Sequence, residues 1–322
     1  MAVTGRSDGP GASASSGQSG EPGQSEPSAS YRLADRVPAS VLVLLGIVSV
    51  QFGGALAATL VPVIGAAGSV TLRLVISTVI LLLVARPRLR GHSRQAWVTV
   101  VLFGLALGAM NWSFYASLGR LPIGVAVTIE FLGPLLLTVV LSRRAVDFLA
   151  VLAAAAGVVL ISQALTVPFA ELDLIGLGLA ALAGGCWAAY IVLSKRTGAA
   201  FTQLDGLAIA MVVASVAVAP FGLGSAPLWT AEILLKGLGI AVLSSVLPYS
   251  LELLALRRMT SRVFGILLSL EPAAAALAGL LVLHQRLTGL QVLGIALVVG
   301  ASAVVMGTTR SRVDDDGPAP LG

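Results

Sequence analysis

The feature that most constrains this chain is a succession of apolar runs of about 20 residues each, separated by short polar clusters. Each run is apolar on every side of a helix rather than on one face. A helix rises 1.5 Å per residue, so 20 residues cross a hydrocarbon core about 30 Å thick. Only 11% of the residues are charged and the mean hydropathy is +0.97. A water-soluble fold is therefore excluded, and we predict an all-α membrane protein.

Ten such runs follow Pro38, and we predict one transmembrane helix for each. Their centres lie near residues 48, 76, 106, 132, 154, 184, 213, 243, 272 and 297. Residues 1–37 are rich in Ser, Gly and Pro and nearly lack apolar side chains, which is typical of a disordered tail. We predict that this tail and the C-terminal tail, 309–322, are both cytoplasmic.

The cations support this orientation, because Lys and Arg in short loops favour the cytoplasmic side. With both termini inside, 16 of the 20 cations lie in cytoplasmic segments, only three lie in outside loops, and Arg73 lies within a span. An error of one span would scramble this pattern. The sequence therefore predicts a multi-pass protein of the cell's inner membrane with both termini cytoplasmic.

The two halves of the chain resemble each other. Asn111 and Arg120 precede Pro248 and Arg257 by 137 residues, and Glu130 precedes Glu271 by 141. We therefore predict two five-helix repeats, 38–165 and 172–308. Because five is an odd number, the second copy must enter the membrane in the opposite orientation, a plan that recurs in secondary transporters.

Two acidic residues lie within predicted spans. Glu130 lies about eight residues into the fourth span, roughly 12 Å deep, and Glu271 reaches a similar depth from the other side. An ionised carboxylate there costs on the order of 2.5 to 3.5 kcal/mol, so each must be neutral, paired or facing a wet cavity. Pro134 and Pro272 follow them and predict kinked or broken helices. The pattern leaves open a coupling or binding role and a purely structural, protonated one.

The other candidate site residues are a cation and several polar or aromatic side chains. Arg73 is too deep in the second span for a simple interfacial anchor; it could pair with Glu130, bind a substrate carboxylate or snorkel outward. The remaining candidates for lining a solute cavity are Asn111, Tyr115, Trp187, Tyr190 and Tyr249. Aromatic belts and ordinary helix packing are the alternative for each aromatic ring. Glu252, by contrast, is expected to form a surface ion pair with Arg257 or Arg258.

Several function classes lose support from what the sequence lacks. The basic residues form no continuous face, so the pI near 10.0 does not predict a nucleic-acid partner. The single cysteine, Cys186, excludes an internal disulfide and any cysteine-based metal site. No nucleotide-binding loop, zinc motif or nucleophile elbow is present. We expect no metal and no cofactor, and a membrane-embedded enzyme is only a remote alternative.

Five segments carry a resemblance to a known family. They are MNWSFY at 110–115, LPIGVAVTIEFLGP at 121–134, CWAAY at 186–190, SVLPYSLE at 245–252 and SLEPA at 269–273. In order and spacing they are similar to the threonine/homoserine exporter group of the drug/metabolite transporter superfamily, over about residues 38–308. The resemblance implies ten helices, two EamA-type repeats and a central cavity built from both halves.

The resemblance and the paired acids together predict a secondary transporter that exports small neutral amino acids such as threonine or homoserine by alternating access. Coupling to protons stays open at this point. Efflux of another metabolite or drug, such as a purine or an aromatic amino acid, is the alternative. The expected partners are a small solute, protons where coupling occurs, and the lipid bilayer.

Overall fold

The computed structural model describes residues 37–142, 144–163, 165, 168, 172–274, 277 and 287–315. Nearly all of the predicted N-terminal tail lies outside the described residues, and so does the end of the C-terminal tail. Arg143, Gln285 and Arg286, which belong to the compared polar clusters of the two halves, also lie outside them.

The described residues are overwhelmingly helical and include no strand. The α-helices, numbered in chain order, are α1 Ala39–Ala85, α2 Arg94–Leu118, α3 Ile123–Leu141, α4 Ala145–Ser162, α5 Leu174–Ala200, α6 Asp205–Gly222, α7 Ala231–Ala241, α8 Leu247–Leu256, α9 Ser261–Leu268 and α10 Gly289–Asp315. A 3-10 turn, Leu223–Leu228, follows α6, and a π-helical turn, Val242–Val246, joins α7 to α8. Residues 270–274 are again helical after a turn at Ser269.

Helix α1 consists of two arms that meet at a kink. Gly65 has φ 75° and ψ 168°, a conformation outside the helical region that only glycine adopts without strain. The arms 39–64 and 66–85 correspond to the first two predicted spans. They are joined at Gly65 without an intervening loop, so a single backbone reversal separates the two apolar runs.

Four helices begin at a capping side chain. Ser93, Asp173, Thr230 and Thr260 each accept the backbone N–H of the residue three positions later. Such a cap satisfies one of the four backbone donors that the first turn leaves without a helical partner. The caps therefore fix where α2, α5, α7 and α9 start, and with them the positions of the residues that these helices carry.

Small residues allow close packing between helices. A β-carbon on Gly133 of α3 would lie 1.9 Å from the carbonyl oxygen of Gly184 on α5, and one on Gly184 would lie 2.7 Å from the carbonyl oxygen of Glu130. Only glycine permits this approach, which is a common way for helices to associate in membranes. Helix α5 also packs against α2, α1 packs against α6, α7 and α8, and α4 packs against α10.

Helical residues occupy all ten predicted span centres. Six described helical stretches are long and apolar enough to cross a membrane by themselves, and three shorter apolar helices accompany them. The chain is thus an all-helical protein built for a bilayer, while ten crossings and an inverted repeat stay predictions.

Candidate functional site

A cavity of about 220 Å³ lies between helices from both halves of the chain. Seven of the eight predicted site residues line it: Arg73, Asn111, Tyr115, Glu130, Trp187, Tyr249 and Glu271. They come from α1, α2, α3, α5, α8 and the segment 270–274. The eighth, Tyr190, is 1% exposed and lies behind the wall rather than in it.

The first polar contacts in the wall connect Arg73, Asn111 and Tyr249. Arg73 donates from Nη2 to Oδ1 of Asn111, whose Nδ2 donates to the carbonyl oxygen of Leu107 (2.8 Å) and to the Tyr249 hydroxyl (3.1 Å). Among the described residues, no carboxylate lies within ion-pair distance of Arg73, and its buried Nε has no hydrogen-bond partner. The suggested Arg73–Glu130 pair is therefore wrong for this conformation.

A second polar contact joins Glu252 to Tyr190. The Tyr190 hydroxyl donates to Oε2 of Glu252 over 2.7 Å, and Glu252 is 8% exposed and lines the cavity. The prediction of a surface ion pair is wrong. Arg257 instead donates to the carbonyl oxygens of Phe201 and Gln203.

The position of Glu252 follows from helix geometry. Residues three apart share a helix face, so Glu252 and Tyr249 point the same way. Residues five and six positions on, such as Arg257 and Arg258, lie on other faces. The sequence held a signal for Glu252, because it follows the predicted cavity residue Tyr115 by 137 residues, the same offset that relates Asn111 to Pro248.

The carboxyl groups of Glu130 and Glu271 differ from that of Glu252 in having no hydrogen-bond or ion-pair partner within the described part of the chain. Glu130 is 8% exposed and Glu271 is half-buried. Both side chains face the cavity, which is where an unpaired buried acid is available to a solute or a proton.

The backbone near these acids departs from the expected breaks in one place and matches them in another. Helix α3 continues through Pro134, which lacks the N–H that would bond to the Glu130 carbonyl. After α9 the helix is interrupted at Ser269, three residues before Pro272. The π-helical turn adds an irregularity that we did not foresee, and Ser244 from this turn lines the cavity. Such turns are frequent at functional sites.

Aromatic rings form much of the remaining wall. Trp187 packs edge-on against Phe131 with ring centroids 4.8 Å apart, and Tyr190 lies 5.7 Å from Tyr249. The Arg73 guanidinium lies 5.5 Å from the centre of the Tyr115 ring, within the range of a cation–π interaction. Tyr115 also borders a second cavity of about 210 Å³ between α1 and α2.

Comparison with known proteins places this chain in a family. A sequence model described as the EamA-like transporter family matches residues 174–307. The threonine/homoserine exporter RhtA of Salmonella typhimurium strain LT2 is 39% identical over 285 residues, which cover 88% of this chain and 95% of that exporter. The chain belongs to the EamA-like transporter family. This confirms the family predicted from the motifs, within the drug/metabolite transporter superfamily.

Other relatives agree with this assignment. RhtA of Escherichia coli strain K12 is 38% identical over 84% of this chain and 90% of its own length. Protein PecM of Dickeya dadantii is 30% identical over 65% of this chain. A solved crystal structure matches with a TM-score of 0.69 over 85% of this chain and 98% of that one at 19% identity, a likeness that shows the fold. The chain is therefore a multi-pass inner-membrane protein of a transporter family.

Proposed function

We propose that this protein is a secondary transporter, and not an enzyme, that exports small neutral amino acids such as threonine or homoserine. The observation that carries the proposal is the 39% identity to a threonine/homoserine exporter along nearly its whole length. The lining of the cavity supports it, since Arg73 and three carboxylic acids supply both signs of charge that a zwitterionic amino acid needs. These groups hold a solute without any cofactor.

The size of the cavity favours a small solute. Sites for drug-sized ligands occupy about 300 to 1,000 Å³, whereas this cavity holds about 220 Å³. A drug or other large efflux substrate would need the wall to rearrange. A compact amino acid fits without that change.

We also infer that the chain crosses the membrane ten times, as two inverted repeats with both termini in the cytoplasm. Contacts between the halves support the repeat, because α5 packs against α2 as the arm 39–64 lies beside α8 in the same bundle. Val50 and Trp187 both line the cavity and are 137 residues apart, as are Tyr115 and Glu252. Two copies related in this way can exchange places to open the cavity to either side in turn.

Glu130 and Glu271 are the residues that we assign to proton coupling. Both face the cavity, and neither has a partner in the described chain that would hold it in one charge state. A solute and a proton can therefore compete for the same space, which is one way to link their movements.

Purified protein in liposomes tests the transport proposal. Vesicles loaded with unlabelled threonine should accumulate labelled threonine by exchange, and homoserine should compete for this uptake, while a purine, an aromatic amino acid and a cationic drug should not. Exchange of the purine or the drug without exchange of threonine would overturn the assignment of the substrate.

An imposed pH gradient tests the coupling. The gradient should drive net threonine movement by the parent protein, and Glu130→Gln and Glu271→Gln should weaken this response. Glu232→Gln is the matched control, because Glu232 is an exposed acid paired with Lys236 on α7. Variants that respond to the gradient as the parent does would exclude a coupling role for these acids.

A further inference from the structure

A strip of polar side chains on one wall of the cavity has a cation at one end and a carboxylate at the other. It begins at Arg73, passes through Asn111 to the Tyr249 hydroxyl, and continues on the same face of α8 to Glu252. Tyr190 closes it from behind by donating to Glu252, and its ring lies 5.7 Å from that of Tyr249. The two charges are thus held in place on adjoining parts of a single surface.

The Arg73 end lacks an anion. Arg73 is 6% exposed, its Nε has no hydrogen-bond partner, and no carboxylate of the described chain pairs with it. A buried cation without a counter-ion is costly. A planar guanidinium with free donors matches the two oxygens of a carboxylate. The missing partner is therefore best supplied by a bound carboxylate.

The Glu252 end lacks a cation. Tyr190 occupies Oε2, while Oε1 has no hydrogen-bond partner among the residues described. The contact to Tyr190 also fixes the direction of the carboxyl group, so that binding costs less side-chain entropy than it would at an unanchored acid. Glu130 and Glu271 have no such anchor and do not belong to the strip.

We propose that this strip binds the backbone of an α-amino acid, with Arg73 receiving the α-carboxylate and Glu252 receiving the α-ammonium group. The proposal rests on the proposed function and refines it, because it separates recognition of the amino-acid backbone from proton coupling. Glu130 and Glu271 remain available for protons, while the aromatic wall around Trp187 faces the amino-acid side chain.

Binding of three probes to the purified protein tests the assignment. The probes are threonine, the hydroxy acid in which a hydroxyl replaces the amine, and the amino alcohol in which a hydroxymethyl group replaces the carboxylate. The parent should bind threonine at least about tenfold more tightly than either analogue, as expected from the loss of a hydrogen bond between charged groups.

Each variant should lose one part of this selectivity. Glu252→Gln should weaken threonine about tenfold and leave the hydroxy acid unchanged, because only threonine has the ammonium group. Arg73→Gln should weaken threonine and leave the amino alcohol unchanged. Tyr190→Phe, which keeps the charge of Glu252 but removes its anchor, should give a smaller loss of the same kind as Glu252→Gln, and it serves if Glu252→Gln does not fold.

Matched controls separate the possible failures. Glu232→Gln, on the exposed surface of α7, should bind all three probes as the parent does. Equal weakening of threonine and the hydroxy acid by Glu252→Gln, or an amine-specific loss in Glu130→Gln instead, would overturn the strip while leaving threonine export intact. A parent that binds neither threonine nor homoserine would overturn the proposed function and the strip together.

Discussion

Asp147 and Glu130 are both buried carboxylic acids, but their surroundings differ. Oδ2 of Asp147 accepts from Arg262 Nη1 over 2.7 Å and from the Ser142 hydroxyl over 2.6 Å, and its side chain is 0% exposed. Glu130 has no such partner in the described chain and faces a cavity. A paired acid holds two helices in place, whereas an unpaired acid beside a cavity is available for binding.

The largest effect is expected where the paired acid is removed. Asp147→Ala leaves Arg262, whose side chain is 18% exposed, without its anion, and breaking such a buried pair costs about 3 to 5 kcal/mol. Unfolding in detergent should show this loss relative to the parent. Glu232→Ala, which removes an exposed acid, is the control; an equal loss in both variants would mean that burial of the pair adds nothing.

A second test asks whether the wall that carries Glu130 depends on close backbone packing. Gly133→Ala places a methyl group against the backbone of Gly184, which cannot move aside as a side chain can. Overpacking of this kind typically costs about 1 to 3 kcal/mol. Gly185→Ala is the control, because nothing lies within 4 Å of its β-carbon position. If both variants unfold at the same midpoint, the close packing of α3 on α5 does not stabilise the fold.

The third test removes the unpaired acid. Glu130→Gln breaks no hydrogen bond of the described chain, so the unfolding midpoint should stay close to that of the parent. Gradient-driven threonine movement should fall about tenfold, equivalent to about 1.4 kcal/mol. Parallel unfolding and flux measurements check both halves of this prediction. A large loss of stability in Glu130→Gln would remove the contrast with Asp147.

The smallest effect is expected at the exposed pair of Asp173 and Arg120, 3.2 Å apart. The Gly176 N–H bond and, less strongly, Arg120 hold the pKa of Asp173 below its ordinary value. A lowered pKa stabilises the fold at neutral pH, and this contribution is lost as the pH falls below about 3.9. Asp173→Asn should therefore lower the unfolding midpoint slightly near pH 7 and have no effect in acid. An unchanged difference across this pH range would exclude the carboxylate as its cause.

The helices could be predicted from the sequence because uninterrupted apolar runs of this length have few other solutions in a bilayer. Arg73, Glu130 and Glu271 drew attention for the same reason, since charges within such runs are rare. Glu252 was misassigned because nearby cations in the sequence suggested a surface pair, although helix geometry places Arg257 on another face. The contact between Asp147 and Arg262 joins residues 115 positions apart and depends on how α4 and α9 pack, which no local pattern reveals.

The contact between Gly133 and Gly184 also limits how the molecule can change shape. Backbone atoms that meet this closely cannot slide past one another, so α3 and α5 must turn as a single rotor. Glu130 and Trp187 then travel together, and two spin labels across these helices should keep a constant separation while the cavity switches sides. The moving boundary must lie along other surfaces, with Gly65 and Ser269 as the places where the backbone can bend.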